Sequence, residues 1–300
     1  MHSSGADSDS ATQRTAGVVM VLLGGTCLST AGVLLRYVES ANGWQILFYR
    51  GLFFFLTMIL FLIVRYRGRF LSVLHETGRA GIFLGVTLGF ASVLYIFGIL
   101  STTVANVVFI ISAAPLITAL LARFILGERP SAGTWAAMLA ALCGVGLMVG
   151  DGLAGGGLFG VLCALGVALS FAALLITLRL RKGIDMLPAL CIGGLVSSAI
   201  ALTMTTDLSI SLHDMAICFT LGTVQFGGGF ILITLGARYL LAAETALLSL
   251  TETVLAPIWV WLAINETPSM LTLAGGAVVV TAVASRAAHR ANRRAPVSSA

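Results

Sequence analysis

Hydrophobic residues occupy long blocks of this chain, and short polar stretches separate the blocks. A helix needs about 20 predominantly apolar residues to cross the hydrocarbon core of a bilayer. Ten blocks meet this requirement, at residues 16–38, 44–64, 81–100, 103–124, 132–150, 157–178, 188–206, 215–236, 240–264 and 270–285. The pattern therefore predicts an all-α polytopic membrane protein with ten transmembrane helices.

The composition excludes a soluble globular protein. Of the 300 residues, 58% are hydrophobic and 10% are charged, whereas soluble domains carry about 25% charged residues. The net charge of +5 does not indicate a nucleic-acid partner, because cations in a membrane protein chiefly record its topology. The expected partners are the lipid bilayer and a small-molecule substrate. The oligomeric state stays open, and a monomer is compatible with the sequence.

Basic residues divide unequally between the two ends of the predicted helices. With the N-terminus in the cytoplasm, 15 of the 17 Lys and Arg residues fall on the cytoplasmic side. Arg36 falls on the outer side, and Arg50 lies within the second segment. This bias predicts cytoplasmic termini in the cell inner membrane. Residues 1–15 are Ser-rich and are expected to form a disordered cytoplasmic tail, and residues 286–300 a basic cytoplasmic tail.

The turn after the fourth segment recurs 138 residues later. With this shift, residues of the turn and of the next helix coincide: Glu128 with Glu266, Pro130 with Pro268, Ser131 with Ser269, and Thr134 with Thr272. We therefore predict two five-helix repeats, at residues 16–150 and 157–285. Because five is odd, the second repeat enters the membrane from the opposite side. Inverted repeats are typical of transporters whose substrate site lies between the repeats near the midplane.

The repeated block resembles the EamA-type ten-helix exporters of the drug/metabolite transporter superfamily. The resemblance rests on Ala113-Ala114-Pro115 and Gly127-Glu128-Arg129-Pro130-Ser131 in the first copy, and on Leu250-Thr251-Glu252-Thr253 and Asn265-Glu266-Thr267-Pro268-Ser269 in the second. Thr253 stands where the family pattern has proline, and Asn265 replaces the turn glycine. The resemblance implies two halves around a central cavity, alternating access and export of small metabolites. The chain looks like the amino-acid exporters of the YddG kind.

Two ionisable residues inside the predicted helices are candidates for substrate contact. A charge at the bilayer centre costs about 2.5–3.5 kcal/mol on insertion scales, so it calls for a partner or a function. Glu252 shares a helical face with Thr245 and Ser249. It either binds a substrate ammonium, couples a proton, or is a protonated carboxyl bonded to a neighbouring helix. Arg50 either attracts a substrate carboxylate or anchors a carbonyl of the protein.

Uncharged residues complete the candidates. Four can hydrogen-bond a substrate or hold helices together: Ser92, Tyr95, Asn106 and Gln225. Phe90, Phe171 and Phe226 can wall an aromatic pocket. The eighth segment is weakened by Gly227, Gly228 and Gly229, as a hinge or for close packing, and Pro115 and Pro257 are expected to kink the fourth and ninth. Glu128 and Glu266 are each expected to favour the N-terminus of the helix that follows.

These features predict a secondary transporter that exports small organic metabolites, foremost neutral amino acids, driven by a substrate or proton gradient. No catalytic residue, cofactor or metal is expected: the chain has no phosphate-binding Gly-x-x-x-x-Gly-Lys sequence, no Cys-x-x-Cys pair, and no metal-ligand spacing around His75 and His213. One alternative is a proton-coupled cationic drug exporter, with Glu252 as the cation and proton site. Another is a membrane-embedded enzyme or a channel.

Overall fold

The computed structural model describes residues 4–127, 131–154, 157–180, 187–240 and 242–294. Within these ranges the regular secondary structure is helical throughout, which confirms the predicted all-α class. Seven helices are long and apolar enough to cross a membrane by length and composition, and shorter apolar stretches lie at Ala132–Met148, Leu248–Ile264 and Met270–Ser285.

Ten main elements follow one another along the described chain. They are α1 (Ser4–Ser29, continued by Ala31–Arg36), α2 (Gly43–Tyr66), α3 (Gly78–Ser101), α4 (Val104–Ile111 and Ala114–Ile125), α5 (Ala132–Ala154), α6 (Leu158–Leu180), α7 (Leu187–Met204), α8 (Leu212–Thr220, Leu221–Gly228 and Gly229–Gly236), α9 (Ala242–Ile264) and α10 (Met270–Arg294). A short helix, Phe70–Glu76, lies between α2 and α3.

Both terminal helices are longer than predicted. The first begins at Ser4 and the last continues to Arg294, so residues 4–15 are helical rather than disordered and most of the basic tail is helix. The physical reason is that an existing helix gains a hydrogen bond with each added residue, whereas only a new helix must bear the cost of nucleation. Residues 1–3 and 295–300 of the predicted tails lie outside the described residues.

Only some of the prolines and glycines that were expected to interrupt helices coincide with an interruption. The fourth helix breaks at Ser112 and Ala113, and Pro115 lies in the first turn of its second piece, where a missing N–H costs nothing. The ninth helix is continuous through Pro257. The eighth contains a π-helical segment, Leu221–Gly228, instead of a simple weak point at the three glycines.

One pair of equivalent residues in the two related turns has a left-handed backbone. Gly127 has a φ of +65° and Asn265 a φ of +58°, both in the left-handed region, and the two positions are 138 residues apart. Asn tolerates this region better than most residues with a Cβ, which accounts for the departure from glycine. This likeness supports the predicted duplication. Glu128, Arg129 and Pro130 lie outside the described residues.

Hydroxyl groups cap the next helix in the same way in both copies. The Thr134 N–H donates to Ser131 Oγ at 3.4 Å, and the Thr272 N–H donates to Ser269 Oγ at 3.0 Å. Each capping serine also shares a hydrogen bond with the hydroxyl of its threonine, at 3.1 Å and 3.2 Å.

The buried apolar core reaches the end of the bundle that holds the α9–α10 turn, here called the Glu266 end. Five of its side chains, each at most 2% exposed, form what we call the plug: Leu35, Ile99, Val104, Val107 and Val260. Packing is close, because a Cβ placed on Gly32 would lie 2.6 Å from a methyl of Val104. Next to the plug, the Trp259 indole Nε1 donates a hydrogen bond of 2.9 Å to Ser29 Oγ and so joins α9 to α1.

Candidate functional site

A cavity of about 380 Å³ lies between α1, α2, α3, α4, α6, α8, α9 and α10. Eight of the eleven predicted substrate-contact residues line it: Arg50, Ser92, Tyr95, Phe171, Gln225, Phe226, Ser249 and Glu252. It begins beyond the plug and extends toward the end that holds both termini, where Leu175, Ile233 and Val283 line it. A cavity of this size falls within the range of about 300–1,000 Å³ typical of small-molecule sites.

Helical periodicity explains which side chains of α3 and α4 reach the cavity. The lining residues of α3 are Leu88, Ala91, Ser92 and Tyr95, and those of α4 include Val108, Ile111, Ser112 and Pro115. Both sets follow the i, i+3, i+4, i+7 spacing of one helical face.

Two predicted contact residues lie on the opposite faces of these helices. Phe90 is two residues from both Leu88 and Ser92, and its side chain is 55% exposed on the outside of the bundle. Asn106 is two residues before Val108. It is buried and accepts a hydrogen bond of 2.7 Å from the Thr272 hydroxyl of α10, while its amide donates to Thr102. The structure therefore assigns Phe90 to the outer surface and Asn106 to helix packing.

Arg50 is a buried cation in the cavity wall. Its side chain is 1% exposed, and its Nη1 donates a hydrogen bond of 2.6 Å to the Ser92 hydroxyl. The guanidinium carbon lies 4.2 Å from the centre of the Phe226 ring and 5.8 Å from that of Tyr95. Among the residues that the structure describes, no carboxylate forms an ion pair with Arg50, and its Nε has no hydrogen-bond partner.

Glu252 provides a carboxyl group in the same cavity, from α9. Tyr95, whose ring centre lies 5.8 Å from the Arg50 guanidinium carbon, lines the same cavity. Ser249, one turn before Glu252, donates its hydroxyl to the Thr245 carbonyl at 2.8 Å. Thr245 itself does not line the cavity, because it lies a further turn toward the end that holds the termini.

The π-helical segment of α8 carries Gln225 into the wall. The Gln225 amide Nε2 donates to the Leu28 carbonyl of α1 at 3.0 Å, and its Oε1 is buried without a partner among the described residues. Of the three glycines that follow, Gly227 and Gly229 pack closely: an added Cβ would lie 2.9 Å from Thr57 and 2.8 Å from Leu28. At Gly228 an added Cβ would come no closer than 3.6 Å to another atom.

Glu266 acts on a different helix from the one predicted. Its Oε1 accepts the backbone N–H of Val104, the first residue of α4, at 3.0 Å, and its Oε2 lies 2.9 Å from Arg36 Nε. Glu266 therefore stabilises the N-terminus of α4 instead of α10, whose cap is Ser269. The described residues contain no cluster of three or more His, Cys, Asp or Glu side chains that could hold a metal ion.

Comparison with known proteins agrees with this architecture. Residues 15–150 match the model of the EamA-like transporter family. That part of the chain is similar to this family. One solved structure, titled "Crystal structure of protein", is 17% identical, covers 94% of this chain and 100% of its own, and superposes with a TM-score of 0.66; at that identity the similarity shows the fold alone. No curated protein matches the chain.

The cavity also has lining residues that the sequence interpretation left out of its candidate set. Ser112, Thr253 and Phe230 belong to the wall as well. Thr253 follows Glu252, and Phe230 lies four residues after Phe226, so proximity to a candidate was an available signal. The π-helical segment changes the residue spacing on α8, and the ordinary helical period therefore does not predict which of its side chains share a face.

Proposed function

We propose that the protein exports small neutral amino acids, aromatic ones among them, by alternating access through this cavity. We further propose that it resides in the cell inner membrane with both termini in the cytoplasm. The observation that carries the substrate proposal is one apolar cavity whose wall holds both a buried cation, Arg50, and a carboxyl group, Glu252.

The environment of Arg50 suits a substrate carboxylate. A buried charge is costly unless it is paired, and the hydrogen bond to Ser92 is to a neutral group. A carboxylate reaching the guanidinium would form a charge-assisted hydrogen bond, and these are about twice as strong as neutral ones. The unpaired Nε leaves a donor for it.

Glu252 suits the ammonium group of the same substrate. An α-amino acid carries its ammonium and its carboxylate group on the same carbon atom, so a wall with opposite charges complements it. A simple organic cation would also be attracted to Glu252, but it would be repelled by Arg50 in the same cavity. This second charge favours amino acids over the cationic drugs of the alternative. Phe171, Phe226 and Phe230 supply apolar surface for a side chain.

Reconstituted proteoliposomes test the substrate class. Labelled neutral amino acids and labelled organic cations are compared in counterflow, against vesicles without protein. We expect uptake of at least one neutral amino acid and none of the cations above the empty-vesicle rate. Uptake of cations alone would favour the drug exporter, and uptake of neither would contradict the carrier proposal.

Variants of the two charges test the site. Arg50→Met is expected to raise KM for the amino acid about tenfold or more, since truncating one partner of a buried charge pair costs about 2–5 kcal/mol. Arg79→Met, at an exposed arginine on α3, is the matched control.

Glu252→Gln should lower transport and flatten its pH profile if the carboxyl binds the ammonium or couples a proton, whereas Glu76→Gln, at an exposed position, should change neither. An unchanged rate and pH profile in Glu252→Gln would remove Glu252 from the proposal.

A further inference from the structure

Four segments of the chain meet at a single ion pair at the Glu266 end. Arg36, in the last turn of α1, donates from Nε to Glu266 Oε2 at 2.9 Å and from Nη2 to the Thr102 carbonyl after α3 at 3.0 Å. Glu266 also accepts the Val104 N–H of α4 at 3.0 Å. We call these four residues the latch. It joins α1, α3 and α4 of the first half to the α9–α10 turn of the second.

The latch is stronger than an ordinary surface ion pair. The Arg36 and Glu266 side chains are 24% and 21% exposed, so solvent screens their attraction less than it would on an open surface. The carboxylate lies at the N-terminus of α4, where the helix dipole favours negative charge. Each oxygen of Glu266 has its own donor, one from each of two helices.

The plug lies directly beneath the latch and shares its helices. Leu35 precedes Arg36, Val104 belongs to both groups, and Val260 is on α9, which leads into the Glu266 turn. Along α4 the order is latch, plug, then cavity, with Val104 and Val107 above Val108. A path from the cavity to the Glu266 end must therefore separate α9 and its turn from α1 and α4.

We infer that the Arg36–Glu266 latch is a gate lock that holds the Glu266 end closed and sets the rate at which that end opens. The inference rests on the alternating-access part of the proposed function. When the end opens, Glu266 leaves both Arg36 and the Val104 N–H, so the two contacts break together with the plug.

Thiol labelling of one reporter measures this opening. The five native cysteines are replaced by Ala, and Val108→Cys places a thiol in the cavity wall below the plug. A membrane-impermeant maleimide is applied to sealed spheroplasts and, separately, to inverted vesicles. A second reporter, Glu39→Cys, at an exposed position in the linker after α1, identifies the face on which the latch lies. This readout needs no substrate, so it stands apart from the outcome of the amino-acid panel.

Arg36→Gln and Glu266→Gln are each expected to raise the labelling rate of the Val108→Cys thiol from the latch face about threefold to tenfold. The double variant should label no faster than the faster single variant, because both substitutions remove one interaction. Arg36→Lys should keep the Glu266 end mostly closed, so the Val108→Cys thiol should label at close to the parental rate. Glu39→Gln, an exposed carboxylate at the same end, is the matched control and should label at the parental rate.

Two results would overturn the gate lock. One is parental labelling in both single variants. The other is faster labelling in Glu266→Gln alone, which would make Glu266 a cap of α4 and nothing more. The unfolding midpoint of each variant is measured in detergent. If Glu266→Gln lowers it, Arg36→Gln decides the question, because that variant leaves the bond from Val104 to Glu266 in place.

Discussion

Ser92 positions the central charge of the site. It was predicted as a substrate contact, and in the structure its hydroxyl accepts the 2.6 Å hydrogen bond from Arg50. It lies one turn before Tyr95, whose ring also borders the guanidinium. At the scale of single residues, the Arg50 cation is thus held by the neutral Ser92 hydroxyl on α3 and by the face of the Phe226 ring on α8.

Ser92→Ala is expected to raise KM for the amino acid about tenfold and to leave the maximal rate less affected. Hydrogen bonds to charged groups contribute about 1.5–3 kcal/mol, and without this one the guanidinium can turn away from the cavity. Thr87→Ala is the control on the same helix, since its hydroxyl bonds the Phe83 carbonyl of its own turn. Equal KM values in the two variants would contradict the positioning role. Concentration-dependent counterflow provides the measurement.

We expect Asn106 to contribute to stability and not to substrate binding. It joins α4 to α10 through Thr272. Asn106→Leu is expected to lower the free energy of unfolding by about 0.6–1.7 kcal/mol, the range for hydrogen bonds between membrane helices, with substrate KM unchanged. The unfolding midpoint in detergent gives the stability, and Thr220→Val, at an exposed hydroxyl bonded within its own helix, is the reference. A changed KM with parental stability would return Asn106 to the candidate site.

Among the elements, the π-helical segment of α8 packs closely against α2 at two glycines, Gly222 and Gly227. A Cβ on Gly222 would lie 2.6 Å from the Arg50 carbonyl oxygen and 2.6 Å from the Phe53 Cβ. The sequence shows the glycines of α8 but not this segment, because a π-helix depends on the packing of its neighbours and has no residue period of its own in the pattern.

Gly222→Ala should destabilise the protein by about 1–3 kcal/mol through overpacking. Gly146→Ala is the matched control, because Gly146 is at an exposed position of α5 and no atom lies within 4 Å of an added Cβ. Alanine should add up to about 1 kcal/mol of stability there through helix propensity. Opposite shifts of the two unfolding midpoints are expected. A shift of the same sign in both variants would show that the close approach of α2 and α8 does not determine the effect of an added side chain on stability.

Of the three glycines proposed as a hinge, Gly228 is the one whose role can be tested by adding a side chain. Substitution by alanine meets no steric obstacle there, in contrast to Gly227 and Gly229. If flexibility at this point is part of the transport cycle, Gly228→Ala should slow amino-acid counterflow while leaving the unfolding midpoint the same or higher. A parental transport rate would mean that all three glycines serve packing or are dispensable.

For the whole molecule, hydrophobic blocks predict the number and order of helices well, because crossing a bilayer imposes a length on each. The facing side chains of one helix also follow from its period, as at Ser92 and Tyr95. Contacts between distant segments do not follow in this way. Glu266 was expected to cap the helix after it, yet its partner Val104 lies 162 residues away, and local sequence contains no information on that distance.

Orientation in the membrane is tested at the same scale. With 15 of 17 basic residues on the side of the termini, a reporter fused after residue 300 should be active only in its cytoplasmic form, and one inserted in the 205–211 linker only in its exported form. Insertion of the same reporter at residue 77, in the connection between α2 and α3, is the control for a cytoplasmic connection. If the C-terminal reporter were active only in its exported form, the proposed orientation in the membrane would be wrong, and with it the proposed direction of export.

The bond from Trp259 to Ser29 gives the closed state an optical signature. An indole whose N–H is bonded between two packed helices emits differently from one released into a widening crevice. With Trp44, Trp135 and Trp261 changed to Phe, emission from Trp259 would report the separation of α9 from α1 in real time, without an added label. The fold thus contains its own fluorophore at the boundary that, in the proposed transport cycle, parts for every molecule carried.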